Sequence, residues 1–140
     1  MTPQRVAMIT LGVKDLAVSR EFYKSMGWTE SPRSQESIAF FQTNGVLLGL
    51  FGLADLAKDQ GREGAPLGFG AATLAQNFST EAEVDTAFAK ALACGATELK
   101  APEKVFWGGY SGYYSDLDGH VWEMLYNPYW LPSADGTPNF

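Results

Sequence analysis

Hydrophobic and polar positions run through this chain in one order, strand period then helix period then strand period, and that order occurs twice. Arg5 to Val13 carries Val6, Ala7, Met8, Ile9 and Leu11, apolar on both faces, as a strand covered on both sides would be. Leu16, Ser19, Phe22, Tyr23 and Met26 then fall on one face of a helix spanning Leu16 to Met26. Asp15 supplies the N-cap and Gly27 the stop. A short strand is predicted near Trp28 to Glu30 and another over Ser37 to Thr43. An Asn44-Gly45 turn leads into a third over Val46 to Phe51.

The second half begins with a strand from Phe69 to about Phe78. Thr80 caps a helix to about Ala93, with Val84, Ala87, Phe88, Ala91 and Leu92 on one face, and Gly95 ends it. A short strand near Thr97 to Leu99 precedes a hairpin over Trp107 to Tyr126, turning at Asp118-Gly119. Met26-Gly27-Trp28-Thr29-Glu30 matches Cys94-Gly95-Ala96-Thr97-Glu98, and Asn44-Gly45 matches Asp118-Gly119. With the same β-α-β-β-β order on both sides, the pattern predicts a duplicated module. The first module covers 1–51 and the second 69–127. The segment 52–68 opens with a helical piece, Leu53 to Gln60, and continues as GREGAPLG, a linker or lid. In the tail, 128–140, Tyr129, Trp130 and Phe140 are too apolar to remain uncovered, which predicts packing on the body or on a partner.

Composition narrows the class. A hydrophobic content of 46% suffices for a packed core in one domain of this size. The longest apolar run, Val46 to Ala54, is broken by glycines and too short to span a bilayer. The first residues lack the apolar stretch of a secretory signal, and a single cysteine, Cys94, forms no intrachain disulfide; both point to the cytoplasm. Sixteen acidic residues against ten basic ones give a net charge of −6, which offers no basic stripe for nucleic acid.

Candidate chemistry concentrates in the hairpin. Glu123 is the one charge in the run Val121 to Tyr126. Such a carboxylate either hydrogen-bonds across a cavity or reaches solvent through a groove, or it sits in an aromatic pocket, where it moves a proton or anchors a cationic or hydroxyl-bearing ligand. Trp107 and Tyr110 flank Gly108-Gly109, and are candidates for a pocket rim. Phe40, Phe41 and Trp122 read as packing residues. Asp116 and Asp118 read as turn residues that bond their own backbone, and His120 as a turn-flanking surface residue. There is no phosphate loop, nucleophile elbow or zinc-type cysteine and histidine spacing.

Two segments, ITLGVKDLAVSREFYKSMGW at 9–28 and YYSDLDGHVWEMLYNP at 113–128, carry a family resemblance. The chain resembles the vicinal oxygen chelate superfamily, which groups glyoxalases, bleomycin resistance proteins and extradiol dioxygenases. The resemblance spans residues 5–128. It implies an α+β fold of two βαβββ modules forming a curled mixed sheet around a cavity, often in a homodimer. It also implies a metal site with one ligand from the first and one from the last strand of each module. Here those positions fall on Met8, Gly49, Thr73 and Glu123, of which only Glu123 suits a hard or borderline cation.

The sequence therefore predicts no metal and no cofactor. The leading reading is a metal-independent binding protein that sequesters an amphipathic or cationic small molecule, with Met8, Thr73, Trp107, Tyr110 and Glu123 around it. The alternative is a glyoxalase-like lyase or isomerase using Glu123 as general base, or a metal-dependent lyase or dioxygenase with non-standard ligands. No electrophile to stabilise an enolate is evident from the sequence. A structural or interaction role resting on the aromatic tail is the third reading.

Overall fold

The structure is a computed structural model that describes residues 3–135. The chain divides into two units, between Leu67 and Gly68.

In the first unit, β1 (Met8–Val13) is followed by α1 (Leu16–Ser25), β2 (Ile38–Phe41), β3 (Leu47–Gly52) and α2 (Leu53–Asp59). The sheet has the order β1-β3-β2, with β1 parallel and β2 antiparallel to β3. Asp15 caps α1 by accepting from the Val18 amide at 3.2 Å. Ser19, Phe22 and Tyr23 of α1 are buried, as are Leu11, Val13, Ala39, Phe41, Leu48 and Leu50 of the strands. Tyr23 and Phe41 bring their ring centroids to 6.1 Å.

The second unit contains β4 (Thr73–Phe78), α3 (Glu81–Ala93), β5 (Thr97–Lys104), β6 (Tyr110–Ser115) and β7 (Val121–Tyr126), in the sheet order β4-β7-β6-β5. Thr80 caps α3 through the Glu83 amide at 3.1 Å, and the Glu83 carboxylate accepts from the Ser79 amide at 2.9 Å. These reciprocal bonds satisfy donors that a helix start leaves unpaired. Val84, Phe88 and Ala91 of α3 are buried, as are Tyr114, Trp122 and Met124 of the sheet. The Tyr114 and Trp122 rings stack with centroids 6.5 Å apart.

Both units thus place their first strand parallel to their last, with antiparallel pairing beyond it, as a duplicated module would, although the first unit has one strand fewer than the β-α-β-β-β order predicts. The strands form two mixed sheets, of three and four strands, and neither closes on itself. Several strand limits also differ from expectation. β1 and β4 start at Met8 and Thr73, not at Arg5 and Phe69. The predicted strand at Trp28 to Glu30 is reduced to a single bridge, Glu30 to Phe41. The chain there turns away through Ser31 and Pro32, and Arg20 fastens the loop. Its guanidinium pairs with Glu30 at 3.2 Å and donates to the carbonyls of Gln35 and Ile38. In the second unit the matching strand is longer than predicted, because β5 continues through Pro102 to Lys104. An edge strand tolerates a proline, and Pro102 falls in a register irregularity between Lys100 and Glu103.

Tyr129 and Trp130 are exposed, although the Tyr129 ring lies against Gly108; Phe140 lies outside the described residues. Among the described residues no helix is long and apolar enough to cross a membrane.

Candidate functional site

Strand alternation assigns the side chains of the second unit to two faces. One face is covered by α3: the Phe88 and Tyr114 rings approach to 6.5 Å, and the Tyr110 hydroxyl donates to Asp85 of α3 at 2.6 Å. Trp122 and Met124 share that face, as their burial requires.

The opposite face carries Glu123. Tyr113 stands directly across from it on β6 and Ala75 on β4, so the row reads Tyr113, Glu123, Ala75. The adjoining rows are Ser115, Val121, Thr73 and Ser111, Leu125, Asn77. Lys100 faces Tyr113 from β5, with its ammonium 3.1 Å from the Glu103 carboxylate. Glu123 is half-buried, and Ala75 beside it is exposed.

Tyr113 is the cross-strand neighbour of Glu123. The tyrosine pKa is raised, by burial first and then by the nearby Glu123 charge. Tyr113 therefore remains a neutral hydroxyl at physiological pH. On the other face, burial chiefly and the Asp116 charge raise the pKa of Tyr114.

The structure distributes the residues singled out from the sequence over several places. Thr73 and Glu123 share the open face of the second unit. Met8 and Gly49 share the corresponding face of the first: a Cβ at Gly49 would sit 3.1 Å from Thr10 Oγ1 and 3.6 Å from Met8 Sδ. Tyr110, expected with Trp107 at a pocket rim, instead points to α3, away from the Glu123 face. Trp107 lies in the turn before β6, its indole folded over Gly109, where a Cβ would come within 2.1 Å of the ring. The Gly108-Gly109 pair is thereby explained by packing, since Gly108 also takes a positive φ of 102°. His120 meets Phe69 edge-on at 4.9 Å. Tyr113 is the residue whose role sequence reasoning missed. Counting back from the turn along both strands sets it opposite Glu123.

Donor chemistry tests the metal that the fold family implies. Met8 offers a thioether, Thr73 a neutral hydroxyl, Gly49 no side chain and Glu123 one carboxylate. Among the described residues no group of three or more histidine, cysteine, aspartate or glutamate side chains is placed to hold an ion. Divalent sites need three or more suitable protein donors, so these residues do not fit one.

A family model described as the Glyoxalase/Bleomycin resistance protein/Dioxygenase superfamily matches residues 5–124. A glyoxalase-related enzyme from Fulvimarina pelagi is 37% identical, with a TM-score of 0.90 over 99% of each chain. A glyoxalase/bleomycin resistance protein/dioxygenase from Nocardioides is 26% identical, with a TM-score of 0.72 over 100% of this chain and 91% of that one. Lactoylglutathione lyase from Agrobacterium tumefaciens, 21% identical with a TM-score of 0.68 over 92% of this chain and 98% of that one, shares the fold. No curated protein matches the chain. By the family match and by the likeness to the Fulvimarina protein, the chain belongs to the glyoxalase/bleomycin resistance protein/dioxygenase superfamily.

Proposed function

We propose that this protein binds a small molecule without a metal, over the open face of the β4-β7-β6-β5 sheet, with Glu123 as the polar anchor. The observation that carries this reading is the donor set: one carboxylate stands where the family arrangement needs several ligands, with Tyr113 as its cross-strand neighbour. A carboxylate kept on a half-buried sheet face among Val121, Leu125 and Ala75 has a desolvation cost, which a bound partner offsets.

A second reading has support of its own. The Tyr113 hydroxyl supplies the neutral hydrogen-bond donor that an enolate-forming lyase or isomerase needs, with Glu123 as general base. The Fulvimarina relative, described as a glyoxalase-related enzyme, favours keeping it.

Elemental analysis of the purified protein tests the first reading. Divalent metal is expected well below one equivalent, before and after incubation with zinc, nickel or manganese followed by desalting. Retention of about one equivalent that disappears in Glu123→Ala would overturn metal independence.

A further inference from the structure

The open face of the second unit carries a notch at its edge. β4 is an edge strand of the sheet, and its residues on this face are Thr73, Ala75 and Asn77. Ala75 is exposed and has the smallest side chain of the three. Thr73 and Asn77 stand about 7 Å to either side of it along the strand, and Glu123 stands about 5 Å away on β7. Tyr113 occupies the far side of Glu123 on β6, and Lys100 beyond it is held at 3.1 Å by Glu103. The walls of the notch are therefore one carboxylate, one hydroxyl and one amide, and its floor is a methyl group. The threonine and the asparagine each donate and accept, and neither is charged.

We propose that this notch takes one ring of a neutral cyclic polyol, a cyclitol or a hexose. Two vicinal hydroxyls donate to the Glu123 carboxylate, hydroxyls at either end of the ring exchange hydrogen bonds with Thr73 and Asn77, and a C–H face rests on Ala75. This inference rests on the reading of the Glu123 face as the ligand site. A carboxylate accepts from two donors at once, and a vicinal diol supplies both from one ring. An amine on an apolar body satisfies Glu123 but covers Thr73 and Asn77 without replacing the water they lose. It thereby forfeits much of what its charge contributes.

Probes built on one six-membered ring separate these requirements: cyclohexanol, a cis vicinal cyclohexanediol, myo-inositol and cyclohexylamine. Each is titrated into the whole protein with amide chemical shifts followed by NMR. The inositol is expected to move the β4 and β7 resonances in the millimolar range and to bind about tenfold more tightly than cyclohexanol. The diol should fall between them, and cyclohexylamine should bind more weakly than the inositol. Thr73→Ala and Asn77→Ala should each weaken the inositol about threefold and leave cyclohexanol unchanged, whereas a purely structural loss would weaken both. Glu123→Gln should erase the advantage of the diol over cyclohexanol. Ala75→Leu should exclude every probe, which serves if Glu123→Gln does not fold. Tighter binding of cyclohexylamine than of the inositol, or equal binding of the inositol and cyclohexanol, still lost in Ala75→Leu, would overturn the polyol and keep the site. Binding of no probe, or binding indifferent to Glu123→Gln and Ala75→Leu, would instead remove the ligand-site reading together with the inference.

Discussion

One carboxylate oxygen of Asp116 gathers three amides of the connection between β6 and β7. Its Oδ1 accepts from the amides of Asp118, Gly119 and His120 at 3.0, 3.0 and 2.9 Å, and the residue is buried. Asp116→Ala leaves three amides without that acceptor in a part-buried turn. A loss of about 2–4 kcal/mol is expected, read as a lower urea midpoint. Asp116→Asn, which keeps an accepting oxygen, should recover part of it. No drop in midpoint for the alanine variant would show that water serves the amides as well. Sequence reading identified both Asp116 and Asp118 as turn residues from their type and place. It could not say which of the two gathers the amides, since that depends on how the five-residue connection closes.

Tyr110 shows a pH dependence of defined sign. Its hydrogen bond to Asp85, then burial, then the charges of Asp85 and Glu81, raise its pKa to about 12. The folded state thus keeps a proton that the unfolded chain releases at about pH 10, so this contribution is complete below pH 10 and lost as pH rises towards 12. Urea midpoints measured from pH 8 to 11 should show wild type above Tyr110→Phe, with the gap narrowing as the pH passes 10. A gap constant across that range would contradict the assignment of the shift to the Asp85 contact.

At the scale of elements, the two long helices follow from local sequence. Each has an apolar stripe at helical spacing, a capping side chain before it and a glycine with positive φ after it, Gly27 at 103° and Gly95 at 109°. The edge strands do not follow so directly. β5 carries Pro102 and few apolar residues, and forms because β6 pairs with it. Gly112 makes that pairing possible, since a Cβ there would lie 2.9 Å from the Pro102 backbone nitrogen and ring. Gly112→Ala should therefore destabilise by about 1–3 kcal/mol, checked by thermal or urea unfolding. Restoration in the double variant Gly112→Ala with Pro102→Ala would identify the ring as the obstacle. If the backbone nitrogen is the obstacle, the double variant stays as unstable as the single one.

For the whole molecule, the sequence by itself determined that a strand-helix-strands order occurs twice, both long helices' starts and ends, and the family. These rest on short-range physics: hydrophobic period, caps, and turns that need glycine. It also determined the donor poverty of the family's metal positions, because residue identity alone decides whether a side chain can ligate. Tertiary structure decided what pairing and packing decide. It reduced the expected Trp28 to Glu30 strand to one bridge and carried β5 past its proline. Tyr110 went to the α3 face because strand parity brings it to Asp85. The same parity set Tyr113 across from Glu123. Cross-strand register joins residues distant along the chain, and a shift of one residue would reverse every face.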